Sequence, residues 1–354
     1  MMKTFLIVKI AAIGDVIMAL PMAVEIKRRY PDSHITWICG KSVKSIVEMA
    51  PVDEVITLNE KKLLTGSKTE KIIEVIKAWK KIGFRHFDQI AIGHADPRYQ
   101  ILTKLTLAIK ITSFNHTIGK TWPIPSRHHT DEYVRLVNED MNKKRPIPAF
   151  QYSPLKDNLI DTALAGSHKI ITLTPGGAKN LLADDFCRRW PINNYVELAI
   201  KLINKGYIVV ISGAKSDEWI LPYFSGLNIV NMVGKTDLNQ LLYLFSKSDF
   251  VVTHDSGPMH LAGMTKCHLI AIFGPTNPYE KIPRRKNVYF FWNHKQYSCC
   301  PCYDGKSYAK CSDNICMKEI SADDILTKIW ECKIVCVNRY CMNLLYAPYW
   351  GKQR

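Results

Sequence analysis

The sequence predicts an α/β protein of two Rossmann-like halves whose parallel sheets face each other across a cleft. Three observations predict it. Short β-rich runs alternate with helical patterns in the first half, the alternation stops at a proline-rich stretch, and it then begins again. A length of 354 residues suits two domains at roughly 150 residues each. The expected division is 1–150 and 151–354.

In the first half, FLIVKI (5–10) reads as a strand and 15–30 as one helix after a glycine turn. HITWICG (34–40) is a second strand, followed by a short helix through Met49. DEVITL (53–58) is a third. A charged helix over 70–82 leads to a fourth strand, DQIAIG (88–93). KKRPIPAFQYSP, within 143–155, carries three prolines and a basic run and is the expected linker. Beyond it, strands are expected over 169–177, 207–213, 227–234, 249–255 and 268–276, the last closing the set. Helices over 193–204, 216–224, 237–247 and 257–264 separate them. Such a fold places its active site in the cleft between the halves.

Composition narrows the function. Apolar residues are 47% and charged residues 23% of the chain, which excludes a disordered or collagenous protein. Lys9 and Asp15 interrupt the apolar N-terminus, so it reads as mature structure rather than a secretory signal. The formal charge is +16, spread over both halves: residues 1–150 hold 24 basic and 15 acidic residues. No basic stripe interleaved with aromatics stands out, so no nucleic acid is expected. Diffuse positive charge suits anionic small molecules or an anionic membrane surface, with plain solubility as the simpler explanation. Eleven cysteines without a leader sequence suggest a reducing cytoplasm.

No G-x-G-x-x-G follows the first strand, no G-x-x-x-x-G-K-[ST] occurs, and no D-x-D occurs anywhere. A diphosphate here would have to be neutralised by Lys, Arg and backbone N–H groups rather than by a carboxylate-held metal. Three segments offer such groups. KIAAIGDVIMALP (9–21) places Asp15 at a strand-to-helix turn, either as an ordinary N-cap or as a base facing the cleft. TPGGAKNLLADDFCRRWP (174–191) brings Lys179, Arg188 and Arg189 into a basic loop, a phosphate-contacting set or a solvated one. THDSGPMHLAGMTKCHLIAIFGPTNP (253–278) is the most specific. A strand ends at Asp255-Ser256-Gly257 and a helix opens behind it, with His260 one turn in.

These three segments, in this order and spacing, resemble glycosyltransferase family 9, the ADP-heptose:lipopolysaccharide heptosyltransferases, over roughly residues 2–320. The resemblance implies a GT-B fold and an inverting transfer that needs no metal cofactor. It implies an acceptor on the N-terminal domain, a nucleotide sugar (ADP-heptose) on the C-terminal one, and a lipopolysaccharide-core acceptor at the inner face of the cytoplasmic membrane. By the same resemblance Asp15 is the general base and Lys9 its cationic neighbour. Donor binding falls to Thr174, Lys179, Arg188, Asp255, Ser256, Gly257 and His260. Ala11 and Ala12 stand where hydroxyl residues are common in the family, and the loop between Gly177 and Arg188 is longer. Another nucleotide sugar, a protein acceptor, or a binding protein without catalysis are the alternatives.

Eight cysteines lie between Cys299 and Cys341. Cys299, Cys302, Cys311 and Cys316 have a spacing that could close a tetrahedral structural zinc or iron site; the alternative is free thiols.

Overall fold

The computed structural model describes residues 2–114, 126–138, 146–166, 168–179, 184–303, 308–309, 311 and 313–337. The N-terminal sheet contains β1 (Thr4–Val8), β2 (His34–Gly40), β3 (Glu54–Leu58), β4 (His86–Ile92) and β5 (Leu107–Ser113). They run parallel in the order β3-β2-β1-β4-β5. Around them lie α1 (Ile13–Ala19), α2 (Pro21–Arg29), α3 (Lys44–Val47), α4 (Glu60–Thr65), α5 (Lys68–Ile82) and α6 (His129–Arg135).

The C-terminal sheet contains β6 (Ile170–Thr174), β7 (Ile208–Ile211), β8 (Ile229–Asn231), β9 (Phe250–His254), β10 (His268–Phe273) and β11 (Val288–Trp292). Its order is β11-β10-β9-β6-β7-β8, again parallel. Its helices are α7 (Asn158–Ala163), α8 (Ile192–Asn204), α9 (Leu238–Lys247), α10 (Gly257–Gly263), α11 (Pro278–Lys281), α12 (Ile315–Lys318) and α13 (Ala322–Val337). The central strands β1, β6 and β9 are buried on both faces almost throughout, as helix-covered parallel strands must be, with Thr and His the only polar residues among their apolar ones. No described helix is long and apolar enough to cross a membrane.

Several elements differ from expectation for local reasons. The single helix over 15–30 is two, α1 and α2, because Pro21 has no N–H to continue the first and opens the second. The 215–224 segment is a 3-10 helix with Pro222 inside it. The pattern reading missed β5 and β11 and the helices α4, α6, α7, α11, α12 and α13. β5 and β11 are partly exposed edge strands, whose apolar alternation is weak. The second sheet therefore closes with β11 rather than with β10.

The two domains share a hydrophobic cluster. Val16, Ile17 and Met18 of α1 join Leu242 and Phe245 of α9 and Met259 and Leu261 of α10. The segment around α11 ties back to α6: the His128 ring N–H (Nε2) donates to Ile282 O at 2.9 Å, and Arg284 meets Asp131 at 2.7 Å. The His128 Nδ1 accepts from the Thr130 N–H at 3.2 Å, which fixes its tautomer. Of the expected linker, residues 146–155 run along the C-terminal domain, with the Tyr152 N–H on Met264 O; 139–145 lie outside the described residues.

Candidate active site

In each sheet the strand order turns outward at one place, between β1 and β4 and between β6 and β9. Loops leaving those carboxyl ends diverge and open a crevice. Lys9 follows β1, His94 follows β4, Thr174 ends β6, and Asp255 and Ser256 follow β9. Both crevices meet where α1 packs on α10. A Cβ on Gly14 would stand 2.4 Å from His260 Cδ2, so only glycine allows this approach.

On the N-terminal side Lys9 Nζ lies 3.3 Å from Asp15 Oδ2. The Lys9 side chain is 4% exposed, whereas Asp15 keeps 39% of its side chain open. Asp15 is the third residue of α1 and the cap position is Ala12, so the N-cap reading does not hold. Burial alone would raise its pKa. The opposing charges of Lys9 and Lys281, joined by His129 only when it is protonated, prevail and hold the carboxyl well below the usual range. Burial lowers the Lys9 pKa, an effect Asp15 partly offsets. The Tyr133 hydroxyl of α6 bonds the same carboxyl, and Lys9 Nζ sits 5.2 Å from the centre of the Tyr133 ring. The Ile10 N–H donates to His94 Nε2 at 2.9 Å, bracing the loop that carries the pair.

On the C-terminal side a buried carboxylate organises two cations. Asp255 Oδ2 accepts from Thr276 Oγ1 at 2.6 Å, lies 3.3 Å from Arg188 and 3.8 Å from Lys281 Nζ. Burial would raise the Asp255 pKa, but Arg188 and Lys281 hold it below the ordinary carboxylate range. An ionised carboxylate repels phosphate. Asp255, expected from sequence to bind the donor, is seen here holding two cations that can meet a phosphate. Arg188 also donates to Asp255 O. The Ser256 hydroxyl donates to His254 O at 3.2 Å and makes no cap bond to α10. His260 is buried, which drives its pKa down to about 4 against the pull of Asp255 and Asp15, so its ring is neutral at pH 7. Thr174 Oγ1, Arg188 Nε and Asp255 Oδ1 are buried without a protein hydrogen-bond partner. Three orphaned polar atoms around one crevice mark a place built to receive polar groups.

Two expected donor residues behave otherwise. Lys179 is 53% exposed and turns to Asp184, 3.9 Å away, outside this group. Arg189 is occupied with Gly177 O, Asp184 and the face of Trp219. The structure adds Lys281, His129 and Tyr133, which the sequence reading did not select and which belong to segments read without any motif. Thr276 lies in the Gly274-Pro275-Thr276 turn after β10, which the sequence reading offered as a flank for the nucleotide.

The cysteine segment is not separate from this site. The Tyr303 N–H bonds Pro275 O, and the Tyr303 ring pairs with Tyr308 at 4.7 Å beside Lys281 and Arg188. The four expected metal ligands lie near one another: Cys302 is within electrostatic reach of Cys299, Cys311 and Cys316, and Cys300 and Cys187 border the same group. Among the described residues no group of three or more His, Cys, Asp or Glu side chains is placed to hold a metal ion.

Residues 105–312 match glycosyltransferase family 9 (heptosyltransferase), more than half of the chain. The chain belongs to this family. It is a glycosyltransferase, and its two parallel-sheet domains form a GT-B fold. It is 28% identical over 302 residues to the lipopolysaccharide core heptosyltransferase OpsX of Haemophilus influenzae, a match spanning 79% of this chain and 82% of that protein. The structure of a family 9 glycosyltransferase from Veillonella parvula superposes with a TM-score of 0.76, at 20% identity, covering 94% of this chain and 98% of that one. Escherichia coli ADP-heptose lipopolysaccharide heptosyltransferase II superposes at 0.72, with 18% identity, 95% of this chain and 100% of that one. Within this glycosyltransferase, Asp15 lies on the N-terminal domain and the Arg188–Asp255–Lys281 group on the C-terminal one.

Proposed function

We propose that this glycosyltransferase moves a heptose from ADP-heptose to an inner-core lipopolysaccharide acceptor, with inversion at the sugar carbon and no metal cofactor. One observation carries the reading. An ionised, cleft-facing Asp15 on one domain stands opposite a cation pair organised by Asp255 on the other, with Lys281 within electrostatic reach of both carboxylates.

In this reading the acceptor hydroxyl attacks the anomeric carbon on the face opposite the diphosphate. The new carbon–oxygen bond forms as the bond to the phosphate oxygen breaks, and Asp15 takes the hydroxyl proton. Its low pKa suits a proton transfer completed late, when the attacking oxygen has become strongly acidic. The electron pair left on the diphosphate is stabilised by Arg188 and Lys281, arranged in advance by Asp255. Ser256, the Gly257 N–H and neutral His260 supply uncharged partners, and Thr174 Oγ1 meets the nucleotide. With two cations in place and no D-x-D in the chain, the diphosphate needs no divalent ion. The structural relative described as an ADP-heptose lipopolysaccharide heptosyltransferase supports the donor and the acceptor class. The working place is the cytoplasmic face of the inner membrane, and nucleic acid is not a partner.

Calorimetric titration with ADP-, UDP- and GDP-sugars, then transfer to heptose-deficient lipopolysaccharide in EDTA, tests this. ADP-heptose should bind and react in chelator. A preference for a UDP- or GDP-sugar, or a strict Mg²⁺ requirement, would overturn it.

A further inference from the structure

The β5 edge of the N-terminal sheet is apolar and open. Phe84 is 82% exposed and Ile109 73% exposed, with Leu105, Leu107 and Ile111 exposed around them. They are contiguous: the Phe84 N–H bonds Leu105 O, the Leu107 N–H bonds Arg85 O, and Ile109 and Ile111 continue along β5. Phe84 has φ +59°, a left-handed backbone that a bulky residue rarely adopts. Neither burial nor backbone preference explains a phenyl ring held there, and such outliers point to a use outside the fold.

Four exposed lysines lie close to the patch along the chain, Lys110 on the face of β5 opposite Leu107, Ile109 and Ile111. Lys80 and Lys81 end α5, Lys104 precedes Leu105 and Lys110 lies within β5; all are exposed and no described carboxylate pairs with them. Apolar side chains beside unneutralised cations match a bilayer surface of anionic lipids. The same charges would repel one another if two copies of this edge were paired. The patch is centred on the amino end of β5, because Phe84 and Leu105 precede β4 and β5, whereas the Lys9–Asp15 pair lies beyond the carboxyl end of the parallel strand β1. Docking edge and catalytic pair are therefore separated by about the length of a strand, roughly 20 Å.

We infer that the β5 edge, with Phe84 and the nearby lysines, docks this enzyme on anionic lipid. The inference rests on the proposed membrane-borne acceptor but is tested apart from it. The full chain is floated with vesicles of phosphatidylcholine alone or with phosphatidylglycerol, at low and high salt. It should partition onto the anionic vesicles in a salt-sensitive way. Leu107→Asp with Ile109→Asp, and separately Gln at all four lysines, should each lower partitioning by about tenfold or more. Transfer to a soluble, delipidated acceptor and the melting temperature should stay unchanged, because every altered side chain is exposed. Equal partitioning of variants and wild type, or none by the wild type, overturns the inference. So does a wild-type dimer that the aspartates convert to monomer without any vesicle binding. If the variants lose the vesicles as expected but no heptose is transferred from ADP-heptose, docking stands and the reading of the reaction falls.

Discussion

Gly14 and His260 belong to different domains, and a methyl group on the first would lie 2.4 Å from the ring of the second. This contact sets how closely α1 and α10 approach, and with it the separation of Asp15 from the phosphate-facing turn. Gly14→Ala should force the buried imidazole aside and lower turnover more than about tenfold, with a measurable drop in Tm. Wild-type kinetics in this variant would show that the apposition is not needed for transfer.

Asp15→Asn should leave donor affinity near wild type and cut turnover by about two to four orders of magnitude. It also strands Lys9, buried with no anion, so the variant should be less stable. Adding Lys9→Met should restore Tm but not turnover. Recovery of turnover in the double variant would make the pair structural rather than catalytic.

Arg188→Ala should weaken ADP-sugar binding by roughly 1.5–3 kcal/mol, the scale for hydrogen bonds to a charged group. Asp255→Asn gives the sharper test. Removing a negative charge beside a diphosphate should tighten binding if the carboxylate merely sits nearby. If Asp255 positions Arg188 and Lys281, binding should weaken by about tenfold or more. Isothermal titration with ADP decides between the two signs.

Five largely buried histidines make the fold sensitive to acid, His94 among them, its pKa held well below the ordinary value by burial and by Lys9. Burial, the leading cause in each, holds His128 and His254 to about 3 and His129 and His260 to about 4. Arg284 adds to this for His128, Lys281 for His129 and Arg188 for His254. Unfolded histidines titrate near about 6.5, so between that value and about 4 the unfolded chain binds more protons. Stability is therefore full above about pH 6.5 and falls as pH drops, by up to about 2 kcal/mol per histidine at pH 5. Tm should fall steadily from pH 7 to pH 5, less steeply in His128→Gln. A flat profile would refute the buried neutral histidines.

Cys299, Cys302, Cys311 and Cys316 are neighbours, but among the described residues no three of them are placed to hold a metal ion. Protein purified without added metal should contain well under one zinc or iron per chain, and chelation should not shift Tm. One tightly held equivalent, lost together with stability, would show that the tetrad closes in solution.

The sequence by itself determined the two parallel-sheet halves, because buried strands need unbroken apolar runs and their crossovers need helices, and both leave local patterns. It also offered Asp15, Arg188 and the D-S-G-P-M-H turn as candidates, since each lies in a turn or loop after a readable strand; Lys9, inside the strand read over 5–10, was added only by the family resemblance. Partnership was decided only by the tertiary structure. Lys281 and His129 sit in segments without any motif, and they reach the site because α11 and α6 are clamped together across the domain junction. Asp255 looked like a ligand contact in its motif, yet in space it faces two cations, because Arg188 arrives from a loop 67 residues earlier in the chain. Lys179 belongs to the same basic loop but turns outward to Asp184. Local pattern records which backbone a residue prefers and whether it is buried. Which charge it meets depends on contacts between distant segments, and those form only when the two sheets pack together.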